Sequence, residues 1–176
     1  MKKPIKLIAN TLFYLFAFCA VVLPAQASPM LDQPAPAFEA RLLNGQMVNS
    51  ATLRNKVVIL NIWASWCGPC RAEMPALDAF YKAHRHDGVE VIAISMDDRK
   101  DLDQVRQIAS QFSFPVAWKN DAHIEGYGKI WRIPLTFVID RQGILRRNGF
   151  EGSPTVTVDE LNRIVLPLLA QKDLKS

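Results

Sequence analysis

Two residues separate Cys67 from Cys70 in the run Trp66-Cys67-Gly68-Pro69-Cys70. Two thiols at that spacing can close a small disulfide, and a Gly-Pro pair shapes the tight turn between them. The run follows an apolar stretch, Val57 to Ala64, and opens a helical pattern. A buried strand feeding a CxxC at a helix N-terminus describes a site for dithiol/disulfide exchange, because helix-end amides stabilise a thiolate facing them. Half of a zinc site is the competing reading. Zinc needs two ligands more, and His84, His86 and His123 show no ligand-like spacing, so no metal is expected.

Such a site needs a covered sheet behind it and a helix to carry it. Val57 to Ala64 is too apolar for a half-exposed strand and suits a sheet centre covered on both faces. Beyond Pro69, the positions Met74, Leu77, Phe80, Tyr81 and His84 recur at helical spacing. Pro75 lacks the amide that would bond back to Arg71, which predicts a kink. Val89 to Ser95 reads as a second buried strand. Asp98 or Asp101 then caps a helix whose apolar face is Leu102, Val105, Ile108, Ala109 and Phe112. A short strand, Val116 to Trp118, and a helical turn around Ala122 to Lys129 follow.

Leu135 to Ile139 and Ile144 to Asn148 read as an antiparallel hairpin turning at Arg141-Gln142-Gly143. Thr157 and Glu160 form a capping box for a last helix, whose stripe is Leu161, Ile164, Val165, Leu168 and Leu169 and which Pro167 should bend or shorten. Near the other end, Phe38 to Leu43 and Gln46 to Val48 flank the turn pair Asn44-Gly45, an added N-terminal hairpin. The order of elements is that of an α/β sheet sandwiched by helices. Trp118 and Trp131 are assigned to the core or its edge, the three histidines to solvent, and Arg146-Arg147, like Asp97-Asp98 to Asp103, to a charged surface.

Residues 1–27 read as a signal peptide. Lys2, Lys3 and Lys6 form a basic start, Leu12 to Leu23 an apolar stretch, and Ala25-Gln26-Ala27 a small-x-small cleavage pattern. The apolar stretch is short against the roughly 20 residues a spanning helix needs, so retention as a membrane anchor is the lesser alternative. A lipoprotein reading through Cys19 is weak, because bulky Phe18 precedes it. Of 21 Lys and Arg, three lie in this leader, leaving 18 against 17 acids; the basic balance is a targeting signal and implies no nucleic acid. Of three cysteines only Cys67 and Cys70 remain. In an oxidising compartment, cysteine reduced to one CxxC favours a catalytic pair over a staple. Residues 28–176 are long enough for one domain with a real core.

With these elements placed, the chain resembles the thioredoxin superfamily, and more narrowly the exported TlpA/ResA-like group that includes cytochrome c maturation reductases. Gln33-Pro34-Ala35-Pro36-Ala37-Phe38, Asn61-Ile62-Trp63-Ala64-Ser65-Trp66-Cys67-Gly68-Pro69-Cys70, Glu73-Met74-Pro75 and Ile133-Pro134 carry the resemblance. It implies a thioredoxin-like three-layer α/β/α sandwich with a mixed central sheet and the added hairpin. Cys67 is then the solvent-exposed nucleophile and Cys70, more buried, resolves the mixed disulfide. Asn61 occupies the place of the buried aspartate of cytosolic thioredoxins and cannot titrate. Glu73, three residues past Cys70, is the substitute: held in an apolar pocket, it would shuttle the Cys70 proton near neutral pH. A solvated first-turn glutamate is the alternative. Pro134 is expected cis, with Ile133 offering its backbone to an extended substrate. Trp66, Gly68 and Pro69 form the binding rim, and Trp63 packs beneath.

The implied activity is a periplasmic thiol:disulfide oxidoreductase reducing disulfides of exported proteins, without a cofactor. Apocytochrome c or a copper-site assembly protein would be its substrate, and a membrane thiol reductase its electron donor. The rivals are an oxidase or isomerase using the same site at higher potential, and a copper-handling binding protein on the same fold. The latter generally spaces its cysteines CxxxC and adds a histidine. A peroxidase reading lacks its Thr-x-x-Cys, since Ala64 stands where the threonine would be.

Overall fold

A computed structural model describes residues 29–171. The leader expected at residues 1–27 lies outside the described residues, as does Cys19. β1 (Glu39–Leu42) and β2 (Met47–Asn49) make the N-terminal hairpin, turned by Gly45 at φ +88°. That left-handed conformation suits glycine, which has no Cβ to clash. β3 (Val57–Trp63), β4 (Val89–Ser95) and β5 (Val116–His123) lie parallel to one another. β6 (Leu135–Ile139) runs antiparallel to β3, and β7 (Leu145–Arg147) antiparallel to β6. The sheet is mixed, in the order β2-β1-β5-β4-β3-β6-β7.

α1 (Gly68–His84) joins β3 to β4, α2 (Leu102–Ala109) joins β4 to β5, and α3 (Val158–Ala170) follows β7. Right-handed crossovers stepping in one direction along a sheet place their helices on one face. Val57, Ile59 and Trp63 of β3 accordingly share a cluster with Met74 and Leu77 of α1, Val105 of α2 and Leu161 and Val165 of α3. On the opposite face Val58, Leu60 and Ile62 pack with Leu53, Tyr127 and Phe137, so the third layer there is built of turns and a 3-10 segment. Both faces of β3 are covered, which is why its sequence shows no alternation.

Several local expectations change once strands and helices find their partners. α1 runs unbroken through Pro75, and α3 runs through Pro167 to Ala170 without being shortened. Each proline removes one donor, while the buried Met74, Leu77, Val165 and Leu168 around it keep the turns packed. β5 continues past Trp118 to His123 because it pairs with β1, Ala40 opposite Ala122 and Glu39 opposite His123. The helical turn expected around 122–129 is a 3-10 turn, Glu125–Tyr127, since β5 takes up Ala122 and His123.

Neither Asp98 nor Asp101 caps α2 through its side chain, and Asp98 instead pairs with Lys119 at 2.9 Å. Thr157 caps α3 as expected, its hydroxyl accepting Glu160 N–H at 3.2 Å. Glu160 does not reciprocate; its carboxylate goes to Arg147 at 3.0 Å. Arg147 and Asp97 are buried, not part of a solvated surface, and Arg146 bonds Asp140 and Asp32 at 2.7 Å each. Trp131, assigned to the core or its edge, is 71% exposed and stacks on Phe150. His84 is half-buried against Phe80, with ring centroids 4.7 Å apart.

Candidate active site

β3 delivers the chain into a tight turn in which Cys67 N–H donates to the Ala64 carbonyl at 3.1 Å. Cys67 then serves as the N-cap of α1, and its Sγ accepts the Cys70 N–H at 3.2 Å. The sulfur therefore sits where unpaired helix amides concentrate partial positive charge. Cys67 and Cys70 are joined in a disulfide, S–S 2.00 Å and Cα–Cα 5.3 Å. Cys67, expected to be the solvent-facing thiol, is only 6% exposed in this disulfide, while Cys70 is wholly buried. The accessible surface around the pair comes from Trp66, 66% exposed, and from Gly68 and Pro69. Trp63 is fully buried in the cluster that contains both cysteines.

The Ile133–Pro134 bond is cis. β6 starts at Leu135, opposite Ile62, which sets Pro134 beside the end of β3 and hence beside the turn bearing Cys67. Ile133 is half-buried and packs against both core clusters. The pairing of β3 with β6 thus unites residues that the sequence holds far apart.

Glu73 is not a solvated first-turn glutamate. It is 3% exposed, facing the sheet from α1. Asn61 Nδ2 donates to its Oε1 at 2.7 Å and Val156 N–H to its Oε2 at 2.9 Å. Asn61 Nδ2 also reaches Thr136 Oγ1 at 3.0 Å. Burial pushes the Glu73 carboxyl up to about 7, against the opposing pull of the Val156 and Asn61 hydrogen bonds and of the Arg147 charge. A carboxyl in that range can take and return a proton near neutrality.

Sequence reasoning missed the polar partners that hold these groups. Thr136 on β6 accepts from Asn61, the donor to Glu73 Oε1, and Val156, in the segment before α3, donates to Glu73 directly. Asp97 grips Ser65, two residues before Cys67. Alternation along β7, with Leu145 and Arg147 buried and Arg146 exposed, was the available sign that Arg147 points inward. Among the described residues no cluster of three His, Cys, Asp or Glu side chains is arranged to hold a metal. A groove of about 490 Å³ opens near Val58, at the end of β3 away from the dithiol, and none of the expected site residues lines it.

Residues 31–148 match the AhpC/TSA family. Thiol-disulfide oxidoreductase ResA of Bacillus cereus is 33% identical over 115 residues, 64% of this chain and 65% of that protein. The match thus spans slightly less than two thirds of that relative's length. ResA of Bacillus subtilis (strain 168) is 29% identical over 150 residues, 81% of this chain and 84% of that protein. A putative thiol:disulfide interchange protein DsbE from Chlorobium tepidum superposes with a TM-score of 0.69 at 25% identity, covering 81% of this chain and 100% of that one. With its thioredoxin-like sheet and its match over residues 31–148, the chain belongs to the AhpC/TSA family.

Proposed function

We propose that this protein is an exported thiol:disulfide oxidoreductase that reduces disulfides in other exported proteins. The observation that carries the proposal is the Cys67–Cys70 disulfide at the N-terminus of α1, with Cys67 Sγ accepting an end amide of that helix. In the reduced form, the same amide and the helix dipole favour a thiolate on Cys67. That thiolate attacks one sulfur of a partner disulfide, forms a mixed disulfide and expels the partner's other sulfur as a thiolate. Cys70, deprotonated by Glu73, then attacks Cys67 Sγ. The Cys67–Cys70 bond re-forms, and the partner leaves with two thiols and the two electrons.

Trp66, Gly68 and Pro69 supply the accessible rim, and the Ile133 backbone before cis-Pro134 offers an edge to an extended segment. Substrates of this kind include apocytochrome c or a copper-site assembly protein. Electrons return from a membrane thiol reductase facing the periplasm, the compartment to which the leader would direct the chain. Ala64, buried three residues before Cys67, brings no hydroxyl to polarise a peroxide, which favours disulfide exchange over peroxide reduction.

The test is mixed-disulfide trapping in the periplasm. Cys70→Ser should accumulate a covalent complex dominated by one or a few partners, released by dithiothreitol. Cys67→Ser should accumulate none. Capture that persists in Cys67→Ser overturns the assignment of the nucleophile. Equilibration with glutathione at the potential of an oxidant, near −120 mV instead of about −270 mV, overturns the direction of transfer.

A further inference from the structure

Arg147 is the one buried arginine of β7, and its guanidinium binds three separate segments. Nε donates to Glu160 Oε1 in the first turn of α3 at 3.0 Å, Nη2 to the Ser153 carbonyl at 2.8 Å, and Nη1 to the Thr136 carbonyl in β6. One of those segments delivers a donor to Glu73, and another holds the second donor in place. Thr136 holds Asn61, which donates to Oε1, while the segment from Ser153 leads into Val156, whose N–H donates to Oε2. The proton relay thus sits in a frame pinned by one side chain.

The charges that bear on Glu73 are Arg147 from β7, which favours its ionised form, and Glu160 from α3, which opposes it; β3 brings the neutral Asn61, held by Thr136 of β6. Arg147 alone beside a buried carboxylate would hold it ionised. Glu160, bonded directly to the guanidinium, compensates that charge and also repels Glu73. Arg147 can therefore order the donors around Glu73 while leaving it able to bind a proton.

We infer that the Arg147–Glu160 ion pair positions Glu73 and sets the pH at which it exchanges its proton with the dithiol. Both residues are positioning residues, and the inference rests on the relay role proposed above for Glu73. A merely structural pair would make its two partners interchangeable, since loss of either leaves a buried charge uncompensated. Control of Glu73 demands opposite outcomes. Removing the cation raises its midpoint, whereas removing the competing anion lowers it.

The experiment follows the Glu73 carboxyl by ¹³C NMR against pH in the purified oxidised protein, assigned by difference from Glu73→Gln. Arg147→Met should move its midpoint up and Glu160→Gln should move it down, each by about half a unit or more. Arg147→Lys, which keeps the charge without the fork, should lie between wild type and Arg147→Met. Should Arg147→Met fail to fold, Glu160→Gln decides alone, because its side chain sits near the surface. Midpoints that stay put or move in the same direction in both variants overturn the inference. The pH profile of partner reduction, measured in parallel, judges the relay: if the midpoints move as expected while that profile does not follow them, the relay role of Glu73 fails and the electrostatic control by the pair stands.

Discussion

Asp97 accepts both polar groups of Ser65, the backbone N–H at 2.9 Å on Oδ2 and the hydroxyl at 2.5 Å on Oδ1. Ser95 Oγ adds a third bond to Oδ2 at 2.6 Å, and Trp118 Nε1 donates to the Asp97 carbonyl at 2.7 Å. The cluster is buried and ties the end of β4 to the turn that presents Cys67. Three donors thus meet the buried Asp97 side chain and offset its removal from water.

Asp97→Ala should therefore leave Ser65 and Ser95 donors unmet and cost about 3 kcal/mol of stability. Asp97→Asn keeps the volume but turns an amide towards other donors, and should cost less. Urea unfolding measures both. The rate of Cys67 alkylation in the reduced protein should change with them, because the turn before Cys67 loses its anchor. An Asp97→Ala protein with wild-type stability and alkylation rate would refute this anchoring role.

Glu73 gives stability a definite dependence on pH. Its carboxyl titrates near 4.5 when unperturbed and at about 7 in the fold, so between those values the folded protein binds the extra proton. Stability from this group is complete below pH 4.5 and is lost as pH rises towards 7, by up to about 3 kcal/mol. The difference in unfolding free energy between wild type and Glu73→Gln should fall across that window and be flat outside it. A difference that rises with pH would contradict the burial argument.

Gly149 lies where β7 leads back past the start of β6. A Cβ there would meet Thr136 N at 2.9 Å, Leu135 Cβ at 3.1 Å and Thr136 O at 3.2 Å. Backbone atoms cannot swing aside as a flexible side chain can, so Gly149→Ala should destabilise by about 1–3 kcal/mol. It should also displace Thr136, the hydroxyl partner of Asn61. Thermal unfolding and the Asn61 side-chain amide resonances report the two effects separately.

Trp66 is 66% exposed beside the nearly buried Cys67. Trp66→Ala should leave stability within about 0.5 kcal/mol of wild type. It should raise KM for a protein disulfide about tenfold, as the loss of an aromatic anchor does, while the reaction with a small disulfide such as oxidised glutathione changes little. Equal losses on both substrates would assign Trp66 to shaping the thiol instead of the partner surface.

The reactive pair, its strand and its helix were readable from local information. Val57–Trp63, Val89–Ser95 and Leu135–Ile139 appear where apolar runs bounded by turn residues put them, and Cys67 opens α1 because a CxxC with Gly-Pro can hardly sit elsewhere. Such signals depend on neighbours within a few residues. The extent of β5 was not readable, because its second half exists to pair with β1, and neither segment carries a mark of the other.

Residue order thus determined which two sulfurs can pair and which elements carry them; tertiary structure decided what surrounds and holds them. Glu73 meets Val156 across 83 residues and Asn61 meets Thr136 across 75. Arg147 and Asp97, polar enough to read as surface, became buried only because strands, turn and helix brought matching donors and acceptors to them. Periodicity reports whether a position turns inward, but the ionisation of a group depends on what else is packed there, and that is settled by the assembled fold.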